Sequence, residues 1–365
     1  TKWNYNVHVY PKNTLSGVDK QVTDKPAPGS GQNITYTITT SIPKVDYPSG
    51  ARIKRYEVVD QLDKRINKST LAPVVKIVSG QQETVLADTT DYTLITAEGT
   101  KHNWATIQLT EEGRRKAAEA RHNGNGETKV QVTLTATFDP KSVDLEGVLS
   151  NTAGLIPNDS PNFTWDPNNP GTTTDVPGIP TTPVLSKYGK VNLTKTGTDK
   201  LDDKTKYNGA QFQVYECTKT ASGATLRDGD PSTPTVDPLT IGGEQTFTTA
   251  GQGTVTINSL RANDYVDGVK KDALTDEDYY CLVETKAPEG YTLQPDPIPF
   301  RVLATDAEAK VPTEVTVTDV PKNAGFRLPL TGANGVIFLT VAGALLVVGG
   351  AVIAYANKRR HAAKH

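Results

Sequence analysis

Three ionisable residues in the second half of the chain lie on strand faces that should be buried. Each shares the inward face of an alternating segment with apolar residues, because side chains two positions apart point to the same side. They are Lys195, Glu284 and Asp319. Burial lowers the pKa of a Lys and yields a neutral amine, whereas it raises the pKa of a Glu and keeps a proton for acid catalysis. Such groups destabilise a core unless they pair or react, so the cluster is either a set of buried ion pairs or a reactive site.

A second chemical feature is a pentapeptide near the C-terminus, followed by an apolar run. The pentapeptide consists of Leu328, Pro329, Leu330, Thr331 and Gly332. The uncharged run at 336–354 has about the 20 residues that a helix needs to cross a bilayer. Four Lys and Arg residues between 358 and 364 follow it, and they should hold that end in the cytoplasm. The sequence therefore predicts a C-terminal transmembrane helix.

Composition excludes several functions. The net charge of −2 over 365 residues argues against a nucleic-acid partner. The five histidines are scattered, and the chain has no G-x-S-x-G, H-E-x-x-H or phosphate-loop motif, so we expect neither an enzyme nor a bound cofactor. The Asp- and Asn-containing stretch at 166–171 lacks the oxygen spacing of a calcium loop, so no metal site is expected. No signal peptide opens the chain at Thr1, and we expect a processed or shortened N-terminus.

The elements that must position these groups are mostly short strands. Alternation predicts strands in the first half at 33–41, 56–60, 74–78, 92–95, 104–109 and 129–138. One helix is expected at 111–122, with Thr110 as its cap and Gly124 at its end. Further alternating segments occupy the second half, beyond a Pro- and Asn-rich linker at 158–183. They include a strand expected at 300–303, and the hydrophilic stretch at 218–238 is expected to be a loop.

This pattern indicates an all-β protein of two tandem immunoglobulin-like β-sandwich domains followed by the transmembrane helix. We divide it into a first domain at 1–183, a second at 184–325, and a C-terminal segment at 326–365.

Three motifs together resemble the backbone pilins that sortases assemble on Gram-positive bacteria. The pentapeptide, span and basic tail resemble an LPxTG cell-wall sorting signal. The stretch W-x-x-x-V-x-V-Y-P-K from Trp3 to Lys12 is similar to a pilin motif. The block Y-x-L-x-E-T-x-A-P-x-G-Y at 280–291 resembles an E-box, within a B-type domain like those of collagen adhesins, after an A-type domain. The resemblance covers nearly the entire chain.

This resemblance implies a structural shaft subunit of a covalent pilus. A pilus-specific sortase would cut after Thr331 and join its carbonyl to Lys12 of an identical subunit. A housekeeping sortase would link the finished fibre to peptidoglycan, and minor pilins would occupy tip or base. The resemblance places the protein in the cell wall, held transiently in the membrane. The alternative is a wall-anchored adhesin that binds a host or bacterial surface ligand without polymerising, and it does not need Lys12.

The family resemblance also implies intramolecular isopeptide bonds. In the second domain Lys195 would attack Asp319, with Glu284 as proton donor and Asn323 as the alternative acyl partner. In the first domain the set would be Lys20, Asp60 and Asn151, with Lys25 as the rival of Lys20. On an exported protein Cys217 and Cys281 should form a disulfide, which closes a loop of roughly 65 residues and stabilises by about 4 kcal/mol in the chain-entropy model.

Overall fold

The structure is a computed structural model that describes residues 16–24, 33–124, 127–137, 147–158, 164–227 and 236–322. Its N-terminal half is built of strands with one α-helix. The elements are β1 (Val18–Thr23), β2 (Asn33–Ser41), β3 (Glu57–Leu62), β4 (Ala72–Ser79), β5 (Gln82–Val85), β6 (Tyr92–Glu98), β7 (Asn103–Leu109), α1 (Glu111–Asn123), β8 (Lys129–Thr137), β9 (Gly147–Ile156) and β10 (Ile179–Pro180), with short 3-10 turns at Tyr47–Ser49 and Lys68–Thr70.

Two sheets face each other in this half. One has the strand order β1-β2-β8-β4-β5, and the other contains β9-β3-β7-β6 with β10 paired to β9. Alternation places one face of β2 in the core, where Ile34, Tyr36 and Ile38 are buried. The core between the sheets extends from Val22 to Tyr188. The alternating sequence therefore explains how these strands bury one face in the core of the first sandwich.

The C-terminal half is a second sandwich. Its elements are β11 (Val184–Gly197), a 3-10 turn at Lys204–Tyr207, β12 (Gln211–Thr220), β13 (Gly223–Leu226), β14 (Phe247–Thr248), β15 (Thr254–Arg261), β16 (Tyr265–Val266), β17 (Val269–Lys270), β18 (Tyr279–Lys286), β19 (Ile298–Phe300), α2 (Ala304–Ala309) and β20 (Thr313–Asp319). One sheet has the order β13-β12-β18-β19 with β14 on β12, and the other is formed by β15, β11 and β20. A separate apolar cluster fills the space between them.

Strand β11 belongs to both sandwiches. Its first five residues pair with β9, so that Val184 lies opposite Asn151. Beyond Tyr188 it pairs with β15 and, in parallel, with β20. Tyr188 itself is part of the first core. The two halves are thus joined by a continuous strand.

A hairpin from the second half also contacts the first. Its turn is Asp267-Gly268, and both residues have the positive φ that a two-residue hairpin turn requires. The Asp24 N–H donates to Asp267 Oδ1 at 3.0 Å, and the Asp267 N–H donates to Asp24 Oδ1 at 2.9 Å. Because Asp24 follows β1 and is buried, this exchange fixes the end of β1 against the second half.

The expected all-β fold is confirmed, and most predicted strands are present. The 111–122 helix is α1, and the Thr110 side chain accepts from Gly113 N–H as a cap. The expectation of a single helix was wrong, because the structure adds α2. Two further corrections are that the loop at 218–238 contains β13 and that β19 ends at Phe300. The predicted span at 336–354 lies outside the described residues, among which no helix is long and apolar enough to cross a membrane.

Candidate functional site

Lys195, Glu284 and Asp319 meet in the core of the second sandwich. The Lys195 Nζ contacts Asp319 Oδ1 and lies 3.2 Å from Glu284 Oε1, and all three side chains are fully buried. Strand register explains the first contact. Lys195 of β11 lies opposite Val317 of the parallel strand β20, which makes Asp319 its diagonal neighbour on the same face. Strand β18 of the facing sheet supplies Glu284.

The surroundings of Glu284 leave a large fraction of its carboxyl protonated near neutral pH. Burial raises its pKa to about 7. The Gln294 N–H, which donates to Glu284 Oε2 at 2.8 Å, and the Lys195 amine offset part of this rise, whereas repulsion from Asp319 adds to it. A protonated Glu284 can donate a hydrogen bond to a carbonyl oxygen and relay protons.

Lys20 and Asp60 form the corresponding pair in the first sandwich. The Lys20 Nζ lies 2.5 Å from Asp60 Oδ1, and both side chains are at most 1% exposed. Lys20 comes from β1, whereas Asp60 comes from β3 in the facing sheet. Asp60 is paired with Ala153 of β9, so Asn151 is again a diagonal neighbour. Asn151 is 1% exposed, and its amide interacts with the Asp60 carboxyl.

Burial pushes this pair toward its neutral form. It lowers the pKa of Lys20, and the attraction and hydrogen bond to Asp60 offset part of that shift. Burial also raises the pKa of Asp60. The attraction and hydrogen bond to Lys20, and to a smaller extent the Asn151 amide, offset part of that rise. A neutral amine next to a protonated carboxyl is the form in which an amine attacks a carbonyl.

Both clusters place a buried amine beside a carboxyl whose pKa is raised by burial, but a covalent bond would join different elements in each. In the second sandwich, Lys195 and Asp319 lie on neighbouring strands of one sheet. In the first, Lys20 and Asn151 lie on opposite sheets. A bond would consequently hold the first and last strands of the second sandwich together, but would tie the two sheets of the first to each other.

Several predicted site residues lie outside the described residues. These are Lys12, Lys25, Asn323, Leu328, Pro329, Leu330, Thr331 and Gly332. The choice of Asp319 over Asn323 and of Lys20 over Lys25 accordingly stays a prediction, to which the contacts of Asp319 and Lys20 give support.

Two aromatic residues beside the amines were missed at the level of sequence. The Lys20 Nζ lies 4.6 Å from the centre of the Tyr36 ring, and the Lys195 Nζ lies 6.0 Å from that of Phe212. Alternation marks both as inward-facing. Which buried ring contacts which amine depends on how strands pair, and a single sequence gives no signal for that.

Cys217 and Cys281 form the predicted disulfide. Cys217 is on β12 and Cys281 on the neighbouring strand β18, with their Cα atoms 5.8 Å apart. Both cysteines are completely buried. Within the described part of the chain, no group of His, Cys, Asp and Glu is arranged to hold a metal ion.

Comparison with known proteins decides the family. Residues 320–363 match the LPXTG cell wall anchor motif, and residues 189–320 match the SpaA family, described as a prealbumin-like fold domain. The chain is 86% identical over 364 residues to the fimbrial subunit type 1 of Actinomyces viscosus, which covers 100% of this chain and 68% of that protein. The chain belongs to the fimbrial subunit family.

Two further fimbrial proteins support this assignment. The fimbrial subunit type 2 of Actinomyces naeslundii is 33% identical over 368 residues, across 98% of this chain and 64% of its own length. The solved structure of the fimbrial protein FimP from Actinomyces oris has a TM-score of 0.79 and 86% identity, covering 88% of this chain and 71% of that chain.

The major pilin SpaD of Corynebacterium diphtheriae shares the fold, with a TM-score of 0.59 at 23% identity over 85% of this fimbrial subunit and 66% of SpaD. The LPXTG match and the fimbrial relatives place the subunit at the cell-wall surface. The match also implies processing by a sortase and attachment to the cell wall.

Proposed function

We propose that this fimbrial subunit is the repeating shaft subunit of a covalent pilus and acts as a structural protein. Its 86% identity to a type 1 fimbrial subunit over the whole chain carries the proposal. A pilus-specific sortase joins the Thr331 carbonyl to Lys12 of the next identical subunit, and a housekeeping sortase transfers the fibre to peptidoglycan. Minor pilins at tip or base are the remaining partners. The division at residues 183 and 325 belongs to the same proposal.

Two isopeptide bonds lock the subunit internally in this proposal. Lys20 attacks the side-chain carbonyl of Asn151 with release of ammonia, and Lys195 attacks that of Asp319 with release of water. Asp60 and Glu284 carry the protons from each amine to its leaving group. The burial and the short contacts of both clusters support this reaction. It happens once per bond, so it does not make the subunit an enzyme.

Boiled wall extracts test polymerisation. The subunit should form a ladder of multimers that resist detergent and heat, and Lys12→Ala should reduce it to single subunits. Lys2→Ala is the matched control, since it removes a nearby Lys outside the pilin motif and should leave the ladder intact. A wall-anchored adhesin would give single subunits from the unaltered chain as well, and that result would overturn the proposal.

Intact mass tests the internal bonds. An unaltered subunit should weigh about 35 Da less than its sequence requires beyond the disulfide, because one ammonia of about 17 Da and one water of about 18 Da are lost. Lys20→Ala and Lys195→Ala should each remove one of the two deficits. A subunit with the full mass of its sequence would refute both bonds.

A further inference from the structure

A short loop that leaves β18 is attached to the chain just beyond β20. This loop comprises residues 290–294. The Thr292 N–H donates to the Val320 carbonyl at 2.9 Å, and the Lys322 N–H donates to the Gly290 carbonyl at 2.8 Å. Because β20 ends at the proposed acyl partner of the second cluster, the two hydrogen bonds fix the loop beside the reacting groups.

The last residue of this loop reaches the acid of the cluster through its backbone. The Gln294 N–H donates to Glu284 Oε2 at 2.8 Å. The other carboxyl oxygen, Oε1, lies 3.2 Å from the Lys195 Nζ, and within the described residues it has no hydrogen-bond partner of ordinary geometry. The Glu284 side chain is fully buried. The loop thus occupies one oxygen of Glu284 and leaves the other free toward the amine.

A backbone donor at one oxygen decides where the proton of the acid lies. An N–H can only donate, so Oε2 acts as an acceptor and is the carbonyl oxygen of the protonated carboxyl. The proton then belongs on Oε1. The last torsion of a Glu side chain is broad and roughly two-fold, so an unanchored carboxyl would exchange its two oxygens. The bond from Gln294 opposes that exchange.

We infer that Gln294 is a positioning residue for the second internal bond, an inference that rests on the proposed function. Its backbone N–H holds Glu284 Oε2 and so keeps the proton-carrying Oε1 turned toward Lys195. In the reaction, the lone pair of the neutral amine attacks Cγ of the neutral Asp319 carboxyl, and the Nζ–Cγ bond forms. Oε1 gives its proton to the leaving hydroxyl and takes one from Nζ. The Cγ–O bond breaks and water leaves, so Glu284 ends in its initial state and atoms and charges balance.

The first sandwich has no such anchor among the residues that the structure describes. Asp60 is bonded to the Lys20 Nζ at 2.5 Å through Oδ1, and its Oδ2 has no hydrogen-bond partner there. An Asp carboxyl has one rotatable bond fewer than that of Glu, and β3 is paired on both sides, so the strand itself places this acid. A change at position 294 should therefore leave the first internal bond unaffected, which makes that bond a control within the same molecule.

The test removes the N–H without changing a side chain. Cell-free synthesis with codon suppression places lactic acid at position 294, which puts an ester oxygen where Gln294→Ala keeps the N–H. The two full chains then differ only in that group. They are quenched early in acid denaturant and diluted into detergent buffers with a glutathione couple, at pH values on both sides of neutral. Mass spectrometry follows the two cross-linked peptides with time.

The ester chain should form the second internal bond roughly 10-fold more slowly at neutral pH than Gln294→Ala, because a hydrogen bond to an ionisable carboxyl is lost. The pH dependence should move as well. The N–H lowers the pKa of Glu284, so its loss raises that pKa, and the decline in rate as Glu284 loses its proton should occur at higher pH. Lys195 and Asp319 are the charged groups that act on Glu284, and both are unchanged. The rate of the first internal bond should stay the same.

Folding is checked on the same molecules. Cys281 lies on β18 with Glu284, and its disulfide with Cys217 is fully buried. In both chains this disulfide should resist a brief treatment with reductant. Gln294→Pro removes the same N–H by a different change, and it should reproduce the slower rate and the shifted pH dependence. It decides the question if the disulfide of the ester chain proves reducible.

Three results would overturn the inference. If the ester chain and Gln294→Ala share their rate and pH dependence, the N–H does not position Glu284, although the internal bond remains. If the rate falls by the same factor at every pH, the loop acts through packing alone. If the unaltered chain never forms the Lys195–Asp319 peptide, the proposed bond itself is wrong.

Discussion

Lys195 and Lys20 are the two buried amines on which the proposed internal bonds depend. Each amine lies in an apolar core beside one acid and one proposed acyl partner, and each acid has a raised pKa because of burial. The cores could have retained these residues as ion pairs. The observation against that alternative is the surplus of carboxyl groups in the second cluster, where one amine faces two acids. Condensation of Lys195 with Asp319 would remove one positive and one negative charge.

The acyl partner of Lys195 can be decided by mass. Asp319→Ala should abolish the second deficit of about 18 Da, because the carboxyl that neighbours Lys195 on β20 is lost. Asp319→Asn should react with loss of ammonia and give the same final mass as the unaltered cross-linked chain, since the product is chemically identical. Asn323→Ala should keep the deficit. Loss of the deficit in Asn323→Ala alone would assign the bond to Asn323 instead.

For individual residues, alternation was the pattern from which buried positions could be predicted. The two-residue period placed Lys195, Glu284, Asp319 and Asp60 inside, and the structure brings the first three together. Tyr36 was missed, because its position beside the Lys20 amine depends on how β1 pairs with β2. No local pattern encodes such a contact.

At the scale of elements, β11 makes the first sandwich dependent on residues assigned to the second. Asn151 on β9 lies opposite Val184, and the same pairing continues to Tyr188, which is buried in the first core. Without β11, that side of β9 would lose the strand that positions Asn151. We therefore expect that holding Asn151 beside Lys20 and Asp60 requires residues beyond 183.

Shortened chains test this dependence. A chain ending at residue 183 should not show the deficit of about 17 Da, because β9 lacks its neighbour, whereas a chain ending at residue 190 should show it. In the full chain, Tyr188→Ala should destabilise the first sandwich by about 3–5 kcal/mol, as removal of a buried aromatic ring does. Equal deficits in the two shortened chains would show that β9 holds Asn151 without β11.

The disulfide between β12 and β18 should protect the second sandwich from heat. Replacing Cys217 and Cys281 together by Ala should lower the Tm, with roughly 4 kcal/mol as the upper limit for a loop of this length. Both cysteines lie between Lys195 and Asp319 in the chain, so a molecule pulled at its ends should not become longer. Differential scanning calorimetry and force spectroscopy on the same double variant measure the two effects. A longer pulled molecule would show that the Lys195–Asp319 bond is absent.

Element prediction succeeded where a long pattern exists and failed where none does. The nine alternating residues of β2 and the capped 13-residue α1 have the bounds that alternation and capping signals suggest. Helix α2 has six residues, and Leu303 provides no side-chain cap, so neither a period nor a start signal is available. The parallel pairing of β11 with β20 joins segments more than 100 residues apart, and only the folded core selects it.

For the whole molecule, the two proposed bonds define a route for tension. A force that enters at Lys12 would pass from Lys20 to Asn151, along the chain to Lys195, and from Asp319 to Thr331. Most of each sandwich would be bypassed. The segment between Asn151 and Val184 is different, because neither bond encloses it. Its ends are nevertheless neighbours, since these two residues are paired across β9 and β11.

This unenclosed segment should limit how far a fully cross-linked subunit can lengthen. Its release would require breaking the β9 pairing with β3 and the contact between Trp104 and Trp165, whose ring centres are 5.1 Å apart. At 3.3–3.6 Å per residue, the 33 residues from 151 to 184 would add about 110 Å. Force spectroscopy between residues 12 and 331 should therefore show one high-force step of about this length.

Lys20→Ala provides the comparison for that step. Without the first bond, the 131 residues between 20 and 151 would also unravel and add about 450 Å, at lower force because the sheets are then loaded directly. Lys195→Ala should in the same way release the 124 residues up to Asp319, about 430 Å. If the cross-linked subunit detaches from the instrument before any step appears, the contacts around β9 withstand more force than the attachment of the molecule does. If it lengthens by several hundred ångströms, tension does not follow the proposed bonds. The Lys20–Asn151 and Lys195–Asp319 bonds would then not explain how the subunit resists stretching.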